Sequence, residues 1–122
     1  MRRVIVPAAL LATALALSAC GERRATPALV GNPERGKVAL IQYACRACHM
    51  IPGVTGSEVF VGRPLDGLAD RKFIAGSLPN NQENLIKWIR NPKQIDPLTA
   101  MPVLDVTEAD ARDMSAYLLT RR

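Results

Sequence analysis

Apolar residues recur at the three- and four-residue spacing of an amphipathic α-helix in three stretches of the chain. Asn32 precedes the first stretch and suits its N-cap, and Thr107 does the same for the last. Asn80, followed by Glu83, predicts a reciprocally capped start for the middle helix, which Pro92 ends. The apolar positions are Val38, Leu40, Ile41 and Ala44, then Leu85, Ile86, Trp88 and Ile89, then Ala111, Met114, Tyr117 and Leu118. Because no stretch sustains a two-residue alternation, the pattern predicts an all-α domain.

Cys45-Arg46-Ala47-Cys48-His49 is a C-x-x-C-H run, the attachment signature of a c-type haem. Two thiols at this spacing can reach two vinyl groups on one edge of the macrocycle, and His49 can then bind the iron. Zinc is an alternative, but structural zinc needs four ligands and His49 is the only histidine of the chain. A thioredoxin-like redox pair would need a βαβ setting, which the pattern lacks. The run therefore predicts one covalent haem c, held by Cys45 and Cys48.

The length of 122 residues predicts a single domain, and the aromatic content of 4% predicts a thin core. A covalently held porphyrin would supply the apolar surface that such a core lacks. The formal net charge of +5 falls to +3 once Arg2 and Arg3 are removed with an N-terminal leader. A charge this small argues against a nucleic-acid partner.

The first 19 residues have the pattern of a secretory signal peptide. Two early arginines are followed by the uncharged run 4–17, which would span about 21 Å as a helix. A bilayer core needs about 30 Å, so a transmembrane helix is disfavoured. The run ends in Leu17-Ser18-Ala19-Cys20, which resembles the lipobox of bacterial lipoproteins. The resemblance implies cleavage before Cys20 and lipidation of that cysteine; the alternative is an ordinary cleavage site followed by a stray thiol.

Residues 20–32 lack helical periodicity and contain Thr26-Pro27 and Gly31, so they predict a flexible tether. Fully extended, such a segment reaches at most about 40 Å. Leader and tether together predict an exported protein, anchored by lipid on the periplasmic side of a bacterial membrane. The domain, predicted to comprise residues 33–122, would then work close to the membrane surface.

Met101 lies on a predicted loop between Pro97 and Pro102, outside the apolar helix stripes. Prolines restrict the backbone, so a thioether held there can bind a metal with little loss of entropy. Of the other methionines, Met50 follows the histidine too closely to reach the opposite face of a haem, and Met114 belongs to a helix stripe. Met101 is therefore the candidate sixth ligand of the iron. The alternative is a packing methionine beside an open iron site.

Most of residues 34–120 resemble the class I cytochrome c family. The resemblance rests on the haem motif, on Met101-Pro102 and on the stretch Gly62-Arg63-Pro64-Leu65-Asp66-Gly67-Leu68-Ala69-Asp70-Arg71. It implies a small all-α fold wrapped around one haem, whose first helix crosses the last at Gly36. The family usually has a proline at position 63, and the carbonyl of that residue accepts the ring N–H of the histidine ligand. Arg63 retains the carbonyl but lacks the rigidity of proline.

The resemblance also implies three side-chain contacts with the haem. Arg71 matches an arginine near the propionates, Thr99 matches a residue that hydrogen-bonds a propionate, and Trp88 matches an aromatic residue near the iron-bound sulfur. The alternatives are a solvated surface charge for Arg71 and a plain core residue for Trp88. Leu98 replaces the glycine of the family motif P-G-T-x-M-P, which predicts strain or a small shift in that turn.

The function implied by the resemblance is one-electron transfer, not catalysis, in a bacterial respiratory chain. A quinol-oxidising complex or a dehydrogenase would be the donor, and a terminal oxidase or reductase the acceptor. The compact form is similar to cytochrome domains found with bacterial respiratory oxidases, although no copper-centre motif is present. The alternatives are a peroxidase-like haem enzyme and a ligand-sensing haem module, in either of which Met101 would be displaced.

Overall fold

A computed structural model describes residues 28–121 of the chain. The predicted signal peptide, Cys20, most of the predicted tether and Arg122 lie outside the described residues. Among residues 28–121, none of the helices combines the length and the apolar character needed to cross a membrane.

The described part of the chain is mainly helical, as predicted. Four α-helices follow one another: α1 (Pro33–Gln42), α2 (Gln82–Arg90), α3 (Pro92–Ile95) and α4 (Glu108–Thr120). Two short 3₁₀ turns lie at Cys45–Ala47 and Leu68–Asp70. The sequence pattern did not indicate the small antiparallel sheet formed by β1 (Phe73–Ile74) and β2 (Leu78–Pro79), in which Phe73 pairs with Pro79 and Ile74 with Leu78. Strands of two residues are too short to give a two-residue periodicity.

Two of the three predicted N-caps are confirmed. The Asn32 side chain accepts a hydrogen bond from the backbone N–H of Arg35, and the Thr107 side chain accepts one from the backbone N–H of Asp110. Each satisfies one of the amide groups that a helix start leaves unpaired.

The prediction of Asn80 as the third cap was wrong by one residue, since Asn81 caps α2 by accepting from the backbone N–H of Asn84. The Asn80 amide instead donates to the carbonyl oxygens of Leu68 (2.7 Å) and Arg71 (2.9 Å). The Asn80 side chain is therefore hydrogen-bonded to the preceding segment and does not cap α2.

Helices α1 and α4 cross where Gly36 was expected to allow a close approach. A Cβ atom on Gly36 would overlap the backbone carbonyl of Asp113 and lie 2.8 Å from the Met114 nitrogen. Met114 and Tyr117 are completely buried in α4, and the Tyr117 hydroxyl donates to the Pro52 carbonyl at 2.7 Å. The glycine is needed because the two backbones touch.

The end of the predicted tether lies against the helices. The Gln82 side chain accepts from the Val30 N–H (2.9 Å) and donates to the Val30 carbonyl. The buried Asp113 carboxylate accepts from the Asn32 N–H at 2.6 Å and from Arg35 Nε at 2.7 Å. Residues 30–35 are thereby fixed to α2 and α4.

Candidate functional site

A cavity of about 880 Å³ lies between α1, α2, α4 and the loops that follow Val61 and Thr99. It is lined by all of the sequence-predicted site residues that the structure describes: Cys45, Cys48, His49, Arg71, Trp88, Thr99 and Met101. Eight buried core residues face the same cavity: Leu40, Leu68, Ile74, Leu85, Ile89, Val106, Met114 and Leu118. The small core therefore surrounds the cavity instead of filling the domain, as expected for a chain with few aromatic residues.

Cys45 and Cys48 lie at a turn that redirects the chain after α1. Ala44 adopts a left-handed conformation with φ of 56°, and the N–H groups of Cys48 and His49 then donate to the Cys45 carbonyl at 3.3 and 3.1 Å. Both cysteines are half-buried. Burial raises the pKa of the Cys45 thiol, and the neighbouring Cys48 adds to the rise.

His49 is oriented by a backbone carbonyl. Its Nδ1 atom lies 2.8 Å from the Arg63 oxygen, so the expected bond forms although arginine has replaced the proline. A carbonyl can only accept, so Nδ1 must carry the proton of the neutral imidazole. Nε2 then keeps its lone pair, which is the state a metal ligand requires.

Gly62 makes room for the imidazole, a role that the sequence reasoning missed. A Cβ atom on Gly62 would overlap His49 Cε1 and lie 2.7 Å from Nδ1. The Gly62 N–H also donates to the Cys48 carbonyl at 2.7 Å, and the Leu65 N–H to the Met50 carbonyl at 2.8 Å. Gly62 opens the stretch that carried the resemblance, but its role depends on where the imidazole lies, which the sequence alone does not give.

Pro64 supplies part of the restriction that the missing proline at position 63 would give. A residue that precedes a proline is disfavoured in helical conformations, because the proline ring clashes with its backbone N–H and Cβ. Arg63 is therefore restricted by its successor. This explains how a flexible residue can present a carbonyl in a fixed direction.

Met101 is half-buried and lines the cavity. Its N–H donates to the Thr99 hydroxyl oxygen at 3.2 Å, which leaves the hydroxyl hydrogen of Thr99 free to donate elsewhere. The strain expected at Leu98 is not found: its φ is not positive, and its side chain is 93% exposed. The left-handed residue of this region is Asp105, with φ of 53°.

The charged residues in the cavity wall are basic. Arg63, Arg71 and Lys72 contribute, and no carboxylate does so within residues 28–121. Arg71 Nη2 donates to the carbonyl oxygens of Pro64 (2.5 Å) and Asp66 (2.8 Å). Partial burial and the nearby Arg63 charge lower the pKa of Arg71, although an arginine remains protonated at physiological pH.

Trp88 is half-buried and packs against the hydrophobic core as well as lining the cavity. The structural and the cofactor-facing interpretations of this residue are therefore compatible.

These residues fit a haem. Apolar walls suit the porphyrin, and the basic residues suit its carboxylates. The wall also offers two thiols, one imidazole with a free Nε2 and the thioethers of Met101 and Met114, of which Met114 is completely buried in α4. Zinc is not supported, since residues 28–121 contain no group of three or more His, Cys, Asp or Glu side chains placed to hold a metal.

Comparison with known proteins agrees with this chemistry. The family model described as Cytochrome c matches residues 33–122. "Cytochrome c oxidase subunit 2" of Alkalihalophilus pseudofirmus is 35% identical over 85 residues, which cover 69% of this chain and 24% of that protein. The protein of the same name from Bacillus sp. (strain PS3) is 29% identical over 86 residues, covering 67% and 24%. The chain thus spans about a quarter of the length of these relatives.

Proposed function

Since this chain belongs to the cytochrome c family and so binds haem c covalently, we propose that it is a one-electron carrier of a bacterial respiratory chain, with His49 and Met101 as the axial ligands. When bound, the haem supplies an iron that gains and loses a single electron. The observation that carries the proposal is that all seven predicted site residues of the described chain line one cavity.

Each side chain has a defined task in this proposal. Cys45 and Cys48 hold the cofactor through thioethers, so that it cannot be lost outside the cell. His49 is oriented by the Arg63 carbonyl and binds through Nε2. The thioether of Met101 raises the reduction potential relative to a second imidazole. Both ligand positions are then filled by the protein, which limits ligand exchange during electron transfer.

The basic wall has the charge needed to receive the haem propionates. Arg71 is held by two backbone carbonyls and keeps further N–H groups beyond Nη2. The Thr99 hydroxyl oxygen accepts from the Met101 N–H, and its hydrogen remains available to donate to a propionate. We assign propionate contacts to both Arg71 and Thr99. We assign to Trp88 a contact with the side of the haem on which Met101 binds.

Electron carriage is favoured over a haem enzyme by the lack of acid–base groups. A peroxidase-like reaction needs a side chain that moves protons beside the open iron position, and His49 is the only histidine. A ligand-sensing module would need Met101 to leave easily. Prompt carbon monoxide binding by the reduced native protein would support the ligand-sensing function instead of electron carriage.

Replacement of Met101 tests the ligand assignment. We expect Met101→Ala to abolish the methionine-to-ferric charge-transfer band, to lower the reduction potential and to make the reduced protein bind carbon monoxide promptly. Met50→Ala is the matched control, because Met50 neighbours His49 but does not line the cavity. An unchanged spectrum in Met101→Ala would refute the assignment.

The setting of the electron transfer follows from the predicted N-terminus and from the names of the relatives. We propose that Cys20 is lipidated and holds the protein on the periplasmic side of the membrane. A terminal oxidase or reductase would accept the electron, and a quinol-oxidising complex or dehydrogenase would supply it. Cys20→Ser should release the protein from membranes, and co-purification from detergent-solubilised membranes should identify the complexes.

A further inference from the structure

We propose that Asp96 is a positioning residue, which fixes the backbone that presents Met101 to the iron. The inference rests on the proposed function, because it takes Met101 to be the axial ligand. Asp96 lies five residues before Met101, at the point where α3 ends and the loop begins.

Asp96 forms hydrogen bonds in both directions along the chain. Its N–H donates to the Pro92 carbonyl at 2.9 Å and so closes α3, which the buried Pro92 anchors. Its side-chain Oδ1 accepts from the Leu98 N–H at 3.0 Å, and its carbonyl accepts from the Thr99 N–H at 3.1 Å. An aspartate that accepts from the amide two residues later forms an Asx turn, which fixes the local backbone.

Thr99 continues the same series of bonds toward the ligand. Its hydroxyl accepts from the Met101 N–H at 3.2 Å, and its carbonyl accepts from Lys93 Nζ at 2.5 Å. An unbroken series of hydrogen bonds therefore connects Asp96 to the backbone of Met101.

Packing contributes little to this loop. Leu98 is 93% exposed, and Pro97 is also exposed. Neither residue lines the cavity. The backbone at Leu98 does not have the positive φ that would call for a glycine. With neither burial nor glycine to define the turn, hydrogen bonds define it. The Asp96 carboxylate accepts from the Leu98 N–H and so fixes the turn from which the Asp96 carbonyl accepts from Thr99.

The test measures the carbon monoxide affinity of the reduced haem protein, together with the methionine-to-ferric charge-transfer band of the oxidised one. Loss of the Asx turn lets the loop move away from the iron, so we expect Asp96→Ala to raise the apparent carbon monoxide affinity by about fivefold or more. The charge-transfer band should also disappear at a lower temperature. Thr99→Val, which removes the hydroxyl that accepts from Met101, should act in the same direction.

Two controls separate positioning from a general loss of stability. Asp96→Asn keeps an Oδ1 that can accept from the Leu98 N–H, so it should behave like the native protein. Leu98→Ala changes an exposed side chain of the same loop and leaves its N–H in place, so it should also leave both signals unchanged. Far-ultraviolet circular dichroism checks that every variant is folded.

The outcomes distinguish the inference from the proposed function. If Met101→Ala opens the iron to carbon monoxide and Asp96→Ala does not, the positioning role is wrong and the ligand stands. If Asp96→Asn is as impaired as Asp96→Ala, the Asx turn is not the cause and the inference is also overturned. If Met101→Ala has no effect, both the ligand assignment and the inference fail.

Discussion

The two sides of the cavity are held in different ways. On the His49 side, hydrogen bonds join segments that lie far apart in sequence: His49 to Arg63, Cys48 to Gly62 and Met50 to Leu65. On the Met101 side, the bonds join residues no more than six positions apart. They connect Lys93 to Thr99, Asp96 to Leu98 and Thr99 to Met101.

This difference predicts unequal local stability. Within the described chain, every hydrogen bond made by residues 96–101 stays inside residues 92–101. The Met101 loop can therefore move without breaking a hydrogen bond to the rest of the domain. Moving His49 requires the separation of two segments, so the histidine side should open only at higher free energy. We expect the thioether, rather than the imidazole, to be the exchangeable ligand.

The largest effect is expected for Gly62→Ala, which attacks the rigid side. Its Cβ would overlap the His49 ring. The backbone N–H groups of Gly62 and His49 both donate to carbonyls of the cysteine turn, so neither residue can shift easily to relieve the clash. We expect a loss of about 3 kcal/mol in the free energy of unfolding, a typical upper value for overpacking. A low yield of haem-loaded protein should accompany it. Denaturant titration and the haem-to-protein absorbance ratio measure these two quantities.

Gly67→Ala is the control for that substitution. Gly67 has φ of 60°, a Cβ there would meet no atom within 4 Å, and the residue does not line the cavity. Its cost is limited to the left-handed backbone, about 1 kcal/mol. If the two alanine variants were equally unstable, the backbone and not the imidazole would explain Gly62, and the His49 side would be less rigid than inferred.

A smaller effect is expected from Asp113, which fixes the start of α1 and hence the helix that leads to Cys45. Arg35 and the Asn32 N–H lower the pKa of the Asp113 carboxyl. A lowered folded pKa stabilises the protein above the ordinary aspartate range, and that stability is lost as the pH falls through the folded value. Because Arg35 is 70% exposed, solvent weakens the pair. We expect Asp113→Asn to cost about 1 kcal/mol at neutral pH.

Acid titration of stability checks the sign of this effect. The difference between Asp113→Asn and the native protein should shrink as the pH falls below the ordinary aspartate range, because the native carboxyl is then protonated too. Glu83→Gln is the matched control, since Glu83 forms an exposed pair with Lys87 on α2. A difference that stays constant down to the lowest pH would contradict the role of the charge.

The sequence predicted the parts that depend on local chemistry. The C-x-x-C-H run, the loop methionine and two of the helix caps are patterns of neighbouring residues. The structure confirms the two caps and brings the run and the methionine to one cavity, while their ligation of iron stays a prediction. Gly36 was also interpreted correctly, because a glycine inside a helix needs a packing partner.

The parts that escaped prediction depend on distant contacts. The sequence predicts Asn80 as a cap because an asparagine side chain can accept from the N–H groups of a helix start. In the structure, its amide instead donates to the carbonyl oxygens of Leu68 and Arg71. Gly62 could be assigned no role while the position of the imidazole was unknown. Val30 appeared to belong to a free tether, because its partner Gln82 is 52 residues away. In each case a contact between remote segments decided the outcome.

The smallest expected effect is the difference in stability between alanine variants of Arg63 and Pro64, on the His49 side of the cavity. Arg63→Ala should leave stability unchanged, because His49 uses the backbone carbonyl. The loss of a cationic side chain from the cavity wall should lower the reduction potential slightly. Pro64→Ala frees the preceding residue, and it should lower the free energy of unfolding by about 0.5–1 kcal/mol. The bond from Arg71 to the carbonyl of residue 64 survives in this variant, so its loss cannot explain the change. Denaturant titration and potentiometry test both variants. If Arg63→Ala cost as much as Pro64→Ala, the arginine side chain would be holding the carbonyl, and the rigidity of this side would not come from the proline.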